Sequence, residues 1–441
     1  MSSRTSDQLV HDIIDNGQVS GQQLLVVGLC FVLNMFDGFD ITAMAVVAGA
    51  VASELSLSPD KLGWIFSFAL AGMMTGAMLL APVSDIVGRR TVIILSILLV
   101  GASIVLTSQA STLYEFIALR FVSGLGAGSM LACQAALTAE YSPDKYRALS
   151  VVAVTAGYPA GAMMTSVAAG AIMPEYGWPG MFLFGGGLTL AMAVVAWLLL
   201  PESLKYLLDR RPNDALSRIN KILAKLGKKE LDVMPPVMEA AAEARAGLLA
   251  TVLKLISPQH RAATLQLWLT FFLSFASLYF LMSWIPKLVE DAGFTATDGR
   301  RAFFLMNLGA IIGTFVIGIV ATRVKLTNLV AAFFCLSGAG MLVYAVAPVD
   351  LDWLFTLIFF IGLFQQGGFT AMYSVAAKIY PTNVRSTGIG WAVGLGRSGA
   401  VAGPAIAGYL IAGGLGMSAN FILFAIPMAI SAILAYRLHV R

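Results

Sequence analysis

Two aspartates stand three residues apart inside an apolar run long enough to cross a bilayer: Phe36-Asp37-Gly38-Phe39-Asp40 lies within residues 24–52. A carboxylate in hydrocarbon is costly, so it faces a protein interior or a watery cavity and marks an ion or substrate path. On a helix, Asp37 and Asp40 share a face, and Asn34 sits one turn earlier. The bland reading is a structural pair satisfied by neighbouring helices. The sharper one is a protonatable or substrate-orienting site.

Composition rules out a soluble globule: 58% of residues are hydrophobic, 12% are charged and the mean hydropathy is +0.83. Spanning stretches are expected at roughly 24–52, 62–83, 91–108, 112–138, 147–173, 178–200, 263–286, 302–322, 327–347, 353–377, 386–413 and 418–437. The chain therefore divides into a tail (1–21), a first six-helix bundle (22–200), a linker (201–262), a second bundle (263–438) and a short end (439–441). No cleavable leader is read, because the first apolar run is itself long enough to span. Cys30, Cys133 and Cys335 all fall within spans and read as packing residues.

With the N-terminus in the cytoplasm, 22 of the 28 lysines and arginines fall on cytoplasmic segments. The positive-inside rule then places both termini and the linker there. Arg120 and Arg397 instead lie within spans four and eleven. Arg120 is roughly 12 Å into its helix and Arg397 roughly 16 Å into its own. A guanidinium at such depth needs a carboxylate or a substrate anion.

The two halves repeat each other. Ala139, Pro143 and Arg147 recur as Ala377, Pro381 and Arg385, and the same 238-residue offset sets Gly124 over Gly362 and Gly161 over Gly399. Two bundles descended from one unit would produce this. Span seven is expected to end at Pro286 with Trp284 at the membrane interface. Asn307, Gln365, Gln366 and Tyr373 are polar groups in apolar spans, suited either to helix contacts or to a cavity wall. The glycines after Arg120 lack the strand and turn of a dinucleotide fingerprint. No nucleophile triad or metal-ligand spacing appears, so neither an enzyme nor a cofactor is expected.

The turn after span two, Ala81-Pro82-Val83-Ser84-Asp85-Ile86-Val87-Gly88-Arg89-Arg90, resembles the loop signature of the major facilitator superfamily. It departs from that pattern at Ala81 and Ile86, which thins the charge network the family builds there from Asp85, Gly88, Arg89, Arg90, Glu140 and Arg147. Pro201-Glu202-Ser203 is similar to the segment closing the first half in sugar-type and organic-acid members, and the helix-five pattern of drug exporters is absent. The resemblance covers nearly the whole chain and implies an all-α membrane protein of twelve helices in two pseudo-symmetric bundles. Asp37-Gly38-Phe39-Asp40 mid-helix one, with Arg120, Arg385 and Arg397, resembles the aromatic acid:proton symporter family, whose members take up compounds such as 4-hydroxybenzoate, protocatechuate and benzoate.

That resemblance implies a multi-pass carrier of the bacterial inner membrane, working as a monomer with a small aromatic acid, protons and lipid as partners and no nucleic acid. Asp37 and Asp40 take the proton-coupling role, and Arg397 takes the substrate carboxylate. Arg120 either assists or holds an aspartate ionised. Asn34, Phe36, Phe39, Tyr158, Trp391 and Tyr373 are candidate cavity walls, and Asn307, Gln365 and Gln366 candidate readers of ring hydroxyls. A carrier of another organic anion or a sugar, and a sensor that binds without turnover, are the competing readings.

Overall fold

A computed structural model describes residues 10, 13–15, 19–235, 255–258, 260–346, 350–380 and 382–438, the side chains of 382–386 excepted. Among these residues the chain is helical and has no strand. In hydrocarbon each backbone N–H and C=O must be paired within its own segment, which the helix achieves.

The first half comprises α1 (Gly21–Glu54), α2 (Pro59–Thr75, extended by tighter and wider turns to Val87), α3 (Arg89–Thr107), α4 (Leu113–Tyr141), α5 (Asp144–Thr155) and α6 (Gly157–Leu199). The linker carries α7 (Leu204–Arg210) and α8 (Ala215–Lys225). The second half comprises α9 (Arg261–Asp291), α10 (Ala296–Val320), α11 (Leu326–Val346), α12 (Leu351–Ile379), α13 (Thr382–Ala412) and α14 (Met417–Arg437).

Ten helical stretches among the described residues are long and apolar enough to cross a membrane. One of them, Asp144–Leu199, holds 56 residues. Straight, it would run about 84 Å, far beyond a hydrocarbon core of about 30 Å. It folds back at Gly177, whose φ of 61° and ψ of −166° suit a residue without Cβ. The reversal is visible along α1. Gly161 packs on Met35, Trp178 donates to Glu54 at 2.7 Å, and Gly185 returns to the ring of Phe39. With this stretch counted twice and α13 added, the described residues supply twelve crossings.

The halves pack alike. In the first, α1 meets α6, α2 meets α4, and α3 meets α4 and α6; in the second, α9 meets α13, α10 meets α12, and α11 meets α12 and α14. The repeat extends to single glycines. Gly161 rests on the Met35 carbonyl and Gly399 on that of Phe272; Gly124 rests on Ala69 and Gly362 on Met306. Small residues at these crossings let backbones touch, the contact that replaces hydrophobic burial between helices in lipid.

Among the described residues the bundles meet chiefly through α2 with α13, α6 with α10, and α1 with α9. Several of their contacts lie at the end remote from the linker. Gly63 touches Pro404, Gly408 touches Pro59, Glu290 reaches Gly49, and Ser67 donates to the Val401 carbonyl at 2.6 Å.

Two local expectations change. Helix α9 continues through Pro286 to Asp291, and Trp284 is fully buried, donating to the Pro404 carbonyl at 3.0 Å. An indole N–H that meets a carbonyl of α13 within the same bundle is satisfied there and needs no headgroup. Cys335 is exposed while Cys30 and Cys133 are buried, so only the latter two pack inside.

A Cβ on Gly161 would sit 1.8 Å from the Met35 carbonyl oxygen, whereas one on Gly187 meets nothing within 4 Å. Gly161→Leu is therefore expected to cost about 1–3 kcal/mol and lower the thermal midpoint of the purified protein in detergent, while Gly187→Ala leaves it unchanged or raises it.

Candidate functional site

The buried charges of α1 face α4. Asp40, with no exposed surface, forms an ion pair with Arg120 at 2.8 Å, and the same guanidinium nitrogen donates to the Asp40 carbonyl at 3.1 Å. The guanidinium also lies over the ring of Phe182, 5.2 Å from its centroid. Guanidinium suits this role because it is weakly hydrated and stacks on aromatic faces. Arg120 thus neutralises Asp40 inside the first bundle, the second of the two roles left open for it.

Asp37 is placed differently. Its Oδ2 accepts from Gln134 Nε2 at 3.1 Å, and its Oδ1 is buried with no hydrogen-bond partner among the described residues. Among the described residues no cation of its own bundle pairs with Asp37 as Arg120 does with Asp40. Arg397, on α13 of the second bundle, lies within electrostatic reach of Asp37, Tyr158, Tyr279 and Tyr373. Among the described residues Arg397 forms no ion pair. Asn34 donates to the Val154 carbonyl at 2.6 Å, which clamps the start of the α5–α6 segment to α1.

Arg397 sits among aromatics. Phe275 stacks on Tyr279 at 6.1 Å and meets Phe369 edge-on at 4.6 Å; Tyr373 meets Phe271 at 5.5 Å and Phe369 at 5.7 Å. Trp391 lies against Trp268 at 6.4 Å. Such rings hold their positions by packing and offer faces to a planar guest.

Other candidates fall elsewhere. Phe39 is 2% exposed and packs toward Phe184 and Gly185, so it fills the first bundle and lines no space between the two. Gln365 is committed at both ends, accepting from Ser337 at 2.8 Å and donating to the Ser274 carbonyl at 3.2 Å. Its amide ties α12 to α11 and α9 and is not free to read a ring hydroxyl. Asn307 donates to Phe303 on its own helix at 2.9 Å, Phe36 is buried, and Gln366 is half-buried.

At the linker end, Arg89 pairs with Glu140 and lies 3.7 Å from Asp85. Glu140 accepts from Ser203 at 2.6 Å, and Glu202 accepts from the backbone N–H of Arg90 at 3.0 Å and of Ser203 at 2.9 Å. Gly88, at φ 102°, leaves the space that the Glu202 carboxylate occupies. Arg90 caps the Trp197 carbonyl, and Arg147 holds Asp144 at 2.6 Å and the Ala139 carbonyl at 3.1 Å. The loop after α2 is thereby fastened to the start of the linker. The side chain of Arg385 lies outside the described residues.

Sequence reasoning missed Gln134, Tyr279, Glu202 and Ser203 as site members. The rule that singled out Gln365, a polar group in an apolar span, applies equally to Gln134.

A sequence model of the Major Facilitator Superfamily matches residues 30–350 and 267–441. The chain belongs to the major facilitator superfamily. This facilitator is 30% identical over 429 residues to the gallate transporter of Pseudomonas putida, covering 96% of this chain and 93% of that one. It is also 30% identical over 421 residues to the 4-hydroxybenzoate transporter PcaK of Pseudomonas aeruginosa, covering 95% and 92%. In fold it is similar to the inward-open xylose transporter XylE from E. coli, with a TM-score of 0.72, 14% identity and coverage of 94% and 96%. The protein is a multi-pass membrane transporter and not an enzyme.

Breaking the Asp40–Arg120 pair leaves an uncompensated buried charge. Arg120→Met is expected to destabilise this facilitator by about 3–5 kcal/mol, and Asp40→Leu with Arg120→Met to recover most of it. Melting of the two variants in detergent checks the coupling.

Proposed function

We propose that this facilitator accumulates an aromatic carboxylate by proton symport, alternating access to one site between the bundles. The observation that carries the reading is Arg397, a cation without an ion-pair partner among the described residues, set among tyrosines and phenylalanines and within reach of Asp37. An aromatic acid supplies the two things this surface lacks, an anion and a flat apolar ring. The curated relatives named for gallate and 4-hydroxybenzoate support the same class.

The charges suggest the coupling. Asp40 and Arg120 cancel each other and remain within one bundle. A substrate anion placed at Arg397 adds a negative charge near Asp37, and a proton on Asp37 restores the balance. If n protons enter with a monoanion, the membrane potential acts on n−1 charges at about 2.3 kcal/mol per charge per 100 mV. Cytoplasmic placement of the linker and termini follows from the charge bias, in the inner membrane of a bacterium. The contacts between Gly63 and Pro404 and between Gly408 and Pro59 then lie on the outer side. Closure there corresponds to an inward-facing state, and rocking of two similar bundles would alternate the opening. No bound cofactor enters this cycle.

The test is uptake by proteoliposomes under an imposed inward proton gradient, with labelled hydroxybenzoates, a sugar and a dicarboxylate as cargo. Accumulation of an aromatic acid, abolished by an uncoupler, is expected; movement of the sugar alone would overturn the reading. Binding without counterflow would favour a sensor. Asp37→Asn is expected to keep counterflow but lose gradient-driven accumulation. Arg397→Gln is expected to abolish saturable uptake, with Arg397→Lys raising KM, because an ammonium cannot make the paired contacts of a guanidinium.

A further inference from the structure

The unsatisfied polar atoms near Asp37 say more about the cargo than its carboxylate. Gly38, the neighbour of Asp37, has no Cβ, and the Tyr158 backbone carbonyl lies 2.0 Å from where one would be. This contact fixes Tyr158 beside Asp37. The Tyr158 hydroxyl is enclosed and meets no group in full hydrogen-bond geometry among the described residues, and neither does Asp37 Oδ1. Across the bundle interface the hydroxyl of Tyr279 lies within hydrogen-bonding reach of that of Tyr158, short of full geometry. The Tyr279 ring is held by its stack on Phe275, which in turn packs on Phe369. A cation therefore marks one part of the site, an unfilled acceptor and two tyrosine hydroxyls mark another, and aromatic faces stand nearby.

We propose that Tyr158 and Tyr279, one from each bundle, read a ring hydroxyl of the cargo, so that the carrier prefers a hydroxylated aromatic acid to an unsubstituted one. This inference rests on the aromatic-acid reading above. A phenolic hydroxyl both donates and accepts. It can accept from a tyrosine and pair with Asp37 Oδ1, donating to the carboxylate or accepting from it once it carries the coupling proton, while the ring carboxylate pairs with Arg397. Benzoate fills the apolar space but leaves those buried groups unpaired, which is the arrangement that discriminates most strongly against an analogue lacking a hydroxyl. The amide of Gln365, the earlier candidate for this role, is already occupied by Ser337 and Ser274.

The experiment compares kcat/KM for labelled 4-hydroxybenzoate and labelled benzoate in proteoliposomes holding the full chain. The proteins are wild type, Tyr158→Phe, Tyr279→Phe and, as a control, Tyr344→Phe. Tyr344 is a buried tyrosine stacked on Phe421 at 4.1 Å, away from the constellation. Wild type is expected to favour the hydroxylated acid by about tenfold or more, the worth of a satisfied buried hydrogen bond. Either phenylalanine variant at 158 or 279 is expected to bring the ratio toward one mainly by slowing the hydroxylated acid, and the control to keep the wild-type ratio. Equal transport of both acids by wild type, or an unchanged ratio in both variants, overturns this inference and leaves the aromatic-acid reading intact. The same shift in Tyr344→Phe would also overturn it, as a packing effect. Transport of neither acid by wild type overturns the parent reading as well.

Discussion

Charge in hydrocarbon is the constraint on which this molecule turns. Asp40 and Arg120 meet it inside one bundle, at 2.8 Å and with almost no exposure, so their charges cancel without any group from the other bundle. Desolvating both ions offsets much of their attraction, so the pair adds little net stability over an apolar one, yet losing either partner is severe. Its effect is organisational. It locks α1 to α4 and leaves Asp37, with Gln134 as its partner, as the carboxylate turned toward the second bundle's Arg397.

Rigid bundles follow from a second constraint. Lipid gives helices no hydrophobic reason to associate, so they close up where side chains are absent. Gly38 and Gly161 bring α6 onto α1 at backbone distance, and Gly399 does the same between α9 and α13. These contacts also place the polar groups. Tyr158 stands beside Asp37 because its own carbonyl rests on Gly38. Asp37 and Tyr158 belong to the first bundle, and Tyr279, Tyr373 and Arg397 to the second.

The linker end is organised differently. There Arg89, Glu140, Ser203 and Glu202 tie three segments of the first half through charged and backbone hydrogen bonds. The departures at Ala81 and Ile86 do not remove this network, because its acceptors come from Glu140 and from the segment after α6. Partly hydrated charges of this kind form and break at lower cost than the enclosed pair of Asp40 and Arg120.

Much of this was legible in the chain. Apolar stretches of spanning length gave the crossings, since only internally paired helices satisfy their backbones in lipid. The 238-residue repeat gave the two bundles, and the rarity of buried charge singled out Asp37, Asp40, Arg120 and Arg397. The partners of those charges were not legible. Periodicity names the face a residue occupies on its own helix but not the helix that meets it. Only the packed structure assigned Asp40 to Arg120, turned Phe39 into the first bundle, committed Gln365 to Ser337 and Ser274, and carried α9 through Pro286. Composition and spacing are properties of one segment, and they fixed where the membrane lies and which residues it would punish. Pairing depends on contacts between segments far apart in sequence, so the choice of partner for each costly charge was left to the tertiary fold.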